Sequence, residues 1–272
     1  MFARRGGSGA QEPGVVHMWA NHAHLTNLLG WYTDQADSRV LARAFKLSIV
    51  RHPVDQCRSM IYYWHATGRL GPVDTPPTLA SKLSVVPICE GSMKMMRPFL
   101  EATPSQVLDF YDLVGVTGRF VESVSVLKIL LGLSYKDVLY ISAKRADGTR
   151  FEPKPEEEDE DPRVLEAIRG REDFQDQMEM WEHANHRLDA WIAQLQPQFA
   201  QVNATLTALG EAAQDRCWKD YKKDCYWADA GCASRCLDAL ADEFVYVHGC
   251  NGERAPATSA TAAAVDRPFS KP

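Results

Sequence analysis

The sequence predicts an α/β fold in which a central parallel sheet is flanked by helices. Short apolar runs rich in β-branched residues recur as "FKLSIV" (45–50), "DFYDLVGVT" (109–117) and "KDVLYISAK" (136–144). Helical patterns separate them, and strands alternating with helices are the signature of a parallel sheet. The third observation is size: 272 residues are enough to bury a full core, with 45% apolar and 24% charged residues as in ordinary globular chains.

Taken in order, the first fourteen residues are Gly-rich and expected to be disordered. "GVVHMWANHAHLTNLLGW" follows, apolar with three histidines, and 34–44 can form a short helix capped by Asp34 or Ser38. "FKLSIV" reads as a buried strand. A helix is expected from Val54 to about Thr67, with Pro53 in its first turn, where proline costs little. "GRLGPVDTPPT" is a loop, and 78–101 includes a helix interrupted by "VVPICEG". In "RFVESVSVLKILLGL", Phe120, Val124, Leu127 and Leu131 fall on one helical face. "RADGTRFEPKPEEEDEDP" reads as a polar linker whose acidic run is solvated. From Pro162 to about Leu209 the pattern is helical throughout. The expected organisation is a disordered 1–14, an α/β domain over 15–209, a Cys-rich appendage over 210–252 and a low-complexity tail over 253–272.

Charge narrows the partners. A net charge of −6 lacks the basic surplus of a duplex-binding protein, so no nucleic-acid partner is expected. The apolar run Val124–Leu133 is too short to span a bilayer. "MFARRGGSGAQEPG" has no apolar stretch of a signal peptide, so any membrane anchor would lie upstream of a start that reads like a fragment's. Five of the seven cysteines (Cys217, Cys225, Cys232, Cys236 and Cys250) cluster late without CxxC spacing. Disulfides in a secretory or lumenal compartment are the better reading and a zinc-stabilised module over 217–250 the weaker; an odd count leaves at least one thiol unpaired. Asn203-Ala-Thr205 is an acceptor sequon for glycosylation.

The chemistry concentrates in "VRHPVDQCRSMIYYW" (50–64). Arg51 would sit at the carboxyl end of a parallel strand, the edge where α/β folds bind ligands. The following helix would aim its free N–H groups into the same crevice. With Ser59 eight residues on, a guanidinium and a hydroxyl can converge on one phosphate. The plainer alternative pairs Arg51 with Asp55 and leaves Ser59 hidden in the helix.

This segment resembles the 3′-phosphate-binding segment of sulfotransferases that use 3′-phosphoadenosine 5′-phosphosulfate: a strand ending in Arg, then x-Pro, with Ser eight residues later. "FYDLVGVTGRFVESVSVLKILLGL" is similar to the family's strand ending in Gly-(Leu/Val)-Thr before an acidic-started helix. "DFQDQMEMWEHANHRLDAWI" resembles its late helix with Asp…(Leu/Met)-(Tyr/Trp)…Ala-Asn. Order and spacing over about residues 15–195 are similar to the Golgi carbohydrate branch, the galactose-3-O-sulfotransferases and heparan sulfate 2-O-sulfotransferases.

The resemblance implies a P-loop-like sulfotransferase fold with Arg51 and Ser59 as donor-phosphate ligands, and Lys144, Arg145 and Arg150 in a basic loop over the nucleotide. It implies a catalytic base among the histidines: His24, then His22, or His17 if the galactose enzymes are the nearer relatives. The plain alternatives are a solvated basic turn and polar histidines at a strand edge. The co-substrate would be 3′-phosphoadenosine 5′-phosphosulfate, with no metal, and the acceptor a glycan or glycolipid, of galactose type given the acidic balance. The compartment would be the Golgi lumen, as a type II membrane protein if a full-length form exists. One departure is large. The family opens with a strand and a Pro-Lys-x-Gly-(Thr/Ser)-(Ser/Thr) loop around the 5′-phosphosulfate; "ARRGGSGAQEPG" has glycines but no preceding strand and no Lys-Thr pair. As written, the chain is expected not to be a competent catalyst, either clipped upstream or descended into a non-catalytic binding module.

Overall fold

The computed structural model describes residues 45–72, 75–89, 96, 101–141, 157–218 and 234–249. It is mostly helical around a small parallel sheet of two strands, β1 (Leu47–Val50) and β2 (Leu113–Val116). Their register pairs Leu47 with Leu113 and Val50 with Val116, so the strands end level. Between them run α1 (Pro53–Ala66), α2 (Leu79–Val85) and α3 (Pro104–Phe110). After β2 come α4 (Phe120–Leu131), α5 (Tyr135–Val138), α6 (Pro162–Arg169), α7 (Phe174–Gln194), α8 (Gln198–Cys217) and α9 (Ser234–Gly249).

Local chemistry explains most boundaries. Pro53 opens α1, where its missing N–H is no loss, and Val54, Cys57, Ile61 and His65 recur on its buried face. α3 begins at a capping box in which the Gln106 amide N–H donates to Thr103 Oγ1 at 3.3 Å and the Thr103 N–H to Gln106 Oε1 at 2.9 Å. α4 ends at Gly132, whose φ of 62° is the left-handed conformation that terminates helices. Gly115 is required by packing: a Cβ there would lie 2.9 Å from Ser123 Cβ, so its absence lets α4 approach β2 closely.

Over its described residues, 136–141, the expected third strand does not form. Ser134 and Asp137 make a second capping box, with the Ser134 N–H donating to Asp137 Oδ2 at 2.8 Å, and this starts a turn of helix at Tyr135–Val138. An apolar run that reads as a strand is overruled by the cap that precedes it. The first strand also departs from expectation, because Phe45, Leu47 and Ile49 are 38%, 37% and 40% exposed while Val50 is fully buried. The acidic linker is not solvated to its end: Glu160, just after the turn Glu157–Asp159, is only 3% exposed. The expected helix over 34–44 lies outside the described residues.

The principal core joins Val50, Val107, Leu108, Val114 and Val116 to Met180, Ala184 and Leu188 of α7. A second cluster packs Val54 and Ile61 of α1 with Val85 of α2 and Val164 and Ile168 of α6. A third and fourth stack α4, α5, α8 and α9 through Val124, Val138, Leu206, Leu209 and Leu240. The boundary expected between residues 209 and 210 falls inside the continuous α8.

Two disulfides brace these clusters. Cys217–Cys236 ties α8 to α9, using two cysteines of the late group. Cys57–Cys89 ties α1 to the end of the short turn Val86–Ile88. Disulfides persist in oxidising compartments, so the domain is extracellular or lumenal. Among the described residues no helix is long and apolar enough to cross a membrane. The glycosylation sequon lies within α8, where Asn203 Oδ1 accepts a hydrogen bond from Ser125 Oγ at 3.2 Å.

Cys57 and Cys89 are 32 residues apart, and both are buried. The double substitution Cys57→Ala/Cys89→Ala is expected to lower unfolding free energy by about 3–4 kcal/mol from loop-closure entropy. Denaturant melts of the two oxidised proteins measure it; equal midpoints would contradict the expectation.

Candidate functional site

The level ends of β1 and β2 set out the site. Thr117, the first residue past β2, donates its hydroxyl to the Val50 carbonyl at 3.0 Å, so the two chains leave the sheet locked together. From β1 emerge Arg51 and His52, leading into α1; from β2 emerges the turn Thr117–Arg119, leading into α4. Two helix N-termini therefore start at one sheet edge, each bringing unpaired backbone N–H groups.

The late helix closes the edge from a third side. Trp181 of α7 meets the His52 ring edge-on at 4.9 Å between centroids. Asn185, one turn on, accepts at Oδ1 from Arg119 Nη1 at 3.5 Å and donates its amide to the Trp181 carbonyl at 2.9 Å. Arg119 is further paired with Glu122 and, at 2.7 Å, with Asp189. Burial works against the Arg119 charge, but those carboxylates outweigh it and raise the pKa. Arg119 is a satisfied cation that fixes α4 against α7.

Arg51 is different. It is half-buried and, among the described residues, makes no ion pair within 4 Å. Burial lowers its pKa and neighbouring Arg58 lowers it further, against the opposing pull of Asp55. Asp55 is shared, since Arg58 Nη1 lies 3.6 Å from its Oδ1. Arg58 is itself only 1% exposed, and its Nε lies 3.7 Å from Glu160 Oε2. Glu160 in turn accepts from Lys82 Nζ at 2.6 Å and from the Tyr62 hydroxyl at 2.9 Å. Burial opposes ionisation of Glu160, yet these hydrogen bonds hold its carboxyl below the usual range. Through Asp55 and Arg58, Arg51 adjoins this ionic cluster; Asp55 acts on its charge more strongly than Arg58 does.

Ser59 lies in the second turn of α1, half-buried, and its hydroxyl forms no hydrogen bond among the described residues. About 9 Å of helix rise separates it from Pro53. No bond joins it to Arg51, so a ligand would have to bridge the two. His17, His22, His24, Lys144, Arg145 and Arg150 lie outside the described residues. The residues that sequence reasoning did not single out are His52, Thr117, Arg119, Trp181 and Asn185. All five fall in the three segments that carry the family resemblance, and the signal for their convergence was that the segments were read as two strand ends and a helix. Compared with family models, curated proteins and solved structures, the chain matches none.

The Glu160 cluster adjoins Arg51 through Arg58 and Asp55, and its contribution is testable. Glu160→Gln leaves Lys82 and Arg58 under-compensated in a buried place, with an expected loss of about 3 kcal/mol at neutral pH. The carboxyl's folded-state pKa is depressed, so its contribution is present above the unfolded value and fades as pH falls through the lower folded one. Denaturation of both proteins across the acidic range should show the stability gap closing towards low pH; a gap independent of pH would refute the assignment.

Proposed function

We propose that the C-terminal edge of the sheet binds the phosphates of 3′-phosphoadenosine 5′-phosphosulfate, and that the protein is a carbohydrate sulfotransferase of the Golgi lumen. In this reading a sulfuryl group passes from the nucleotide to a hydroxyl of a galactose-type glycan or glycolipid. The observation that carries it is Arg51: a half-buried guanidinium at a strand end, beside a helix N-terminus, with no ion pair within 4 Å among the described residues. The convergence of the three family-like segments at that edge supports the same reading.

The chemistry divides among the chain's own groups. Arg51 and Ser59 hold the 3′-phosphate, with the first N–H groups of α1 adding partial positive charge. His24, with His22 and His17 as the other candidates, takes the proton of the acceptor hydroxyl. Lys144, Arg145 and Arg150 cover the nucleotide. No Lys-x-Gly-Thr loop for the 5′-phosphosulfate is present in this sequence. That observation favours a second reading, a protein of this fold that keeps the 3′-phosphate site and binds without transferring.

Calorimetric titration with 3′-phosphoadenosine 5′-phosphate tests the site. Binding is expected, and Arg51→Ala should weaken it by roughly 10- to 100-fold, the worth of one charge-assisted contact. Ser59→Ala should weaken it less, by about the worth of a neutral hydrogen bond, on the order of 3- to 10-fold. A folded wild-type chain that binds no nucleotide would end both readings. Binding without sulfuryl transfer to any galactoside would leave the second reading standing alone.

A further inference from the structure

β1 is an unfinished strand. Its partner β2 is buried at all four positions, whereas β1 exposes Leu47 and Ile49, with Phe45 just before them. Positions 45, 47 and 49 alternate onto one face of the sheet. In register beside them lie Leu113 and Gly115, and Ser123 of α4 sits directly over Gly115. α4 therefore covers the β2 half of this face, while the β1 half stays open. Among the described residues the sheet has no third strand, so β1 also has a free hydrogen-bonding edge. Three large apolar side chains beside an open strand edge make a surface that soluble proteins normally cover.

We infer that the apolar segment Val15–Tyr32 of the same chain docks here, along the open edge of β1 and over Phe45, Leu47 and Ile49. The segment carries Val15, Val16, Met18, Trp19, Leu25, Leu28, Leu29, Trp31 and Tyr32, enough apolar surface to cover three side chains. Residues 33–44 join it to β1, a tether of up to roughly 40 Å when extended. β1 itself is about 13 Å long, so this tether returns the segment in either direction. A dozen residues is also the usual minimum for a crossover between parallel strands. A covalent tether of this length supplies an effective concentration in the millimolar range, far above that of a second copy. The same chain is thus the favoured occupant.

Docking of this kind has a functional consequence that rests on the proposed function. Because β1 ends at Val50, just before Arg51, a segment held along β1 would bring His17, His22 and His24 to the sheet that carries the proposed phosphate site. The docking itself does not depend on that reading, and the two fail separately.

The test uses the full chain with Phe45→p-benzoylphenylalanine, a photoreactive side chain at an exposed position. Irradiation and peptide mapping should give a monomeric adduct between residue 45 and a peptide within 15–32. Hydrogen exchange supplies the second measurement: β1 amides in the full chain should exchange at least about tenfold more slowly than in a full chain carrying Val16→Asp and Trp19→Asp. A dimeric adduct would mean that a second copy covers the face and would overturn the inference. An adduct elsewhere, no adduct, or β1 exchange unchanged by the two aspartates would overturn it as well. Neither measurement involves nucleotide, so failure here leaves the phosphate site to its own titration.

Discussion

The parallel register of β1 on β2 is the constraint from which the rest of the site follows. Pairing Val50 with Val116 makes both strands stop at one level, and the Thr117 hydroxyl on the Val50 carbonyl holds them there. A slip of one residue would turn Val50, fully buried in the principal core, onto the face where Ile49 stands exposed. Gly115 beneath Ser123 holds α4 close to β2 beside this pair. Packing therefore fixes the register, and the register sets Arg51 and Thr117 side by side. A two-stranded sheet is marginal by itself; here the buried α7 face, through Met180, Ala184 and Leu188, supplies the missing surface.

α1 is held with unusual firmness for a helix that follows so small a sheet. Its apolar face packs on α2 and α6, a disulfide anchors Cys57, and Arg58 enters a buried ionic cluster with Glu160. Buried ion pairs contribute little net stability once desolvation is counted, but they penalise arrangements that separate the partners. The cluster reaches α2 through Lys82 and the turn before α6 through Glu160. The orientation of α1 is thereby specified by charge as well as by packing. For a site at its N-terminus, orientation matters more than stability, since backbone N–H groups act only on what they point at.

Much of this architecture was legible in the sequence, and the failures have physical causes. β1, β2, α1, α4 and the long helices after Pro162 follow from periodicity, proline placement and Gly132. The run 136–144 misled because its β-branched content outweighed a capping box that acts over four residues. Glu160 misled because a run of acids reads as solvated, while burial of one member is decided by Lys82 and Tyr62, about 80 and 100 residues away. The Cys57–Cys89 bond has no local spacing signal. In the site, Arg51 and Ser59 could be picked out by their positions around a strand end. Trp181 and Asn185 fall in the late-helix pattern, but their contacts with His52 and Arg119 come from tertiary packing of α7, which periodicity does not give.

The electrostatics of the edge set its arginines apart. The chain is acidic as a whole, and its carboxylates are near at hand. Arg119 has collected two of them, Glu122 and Asp189, together with the Asn185 amide oxygen, and its charge is fully used in holding α4 to α7. Arg58 and Lys82 divide Asp55 and Glu160 with the Tyr62 hydroxyl. At Arg51 burial disfavours the charge most, Asp55 favours it, and Arg58 disfavours it by less. A guanidinium does not deprotonate in this setting, so the cost of that environment is carried by the fold. An incoming dianion would relieve it, gaining from Arg51, from Arg58 behind it and from the helix N-terminus together, whereas a neutral or cationic ligand would not. Under the proposed function, that contrast makes Arg51 rather than Arg119 the arginine of this edge placed for an anion.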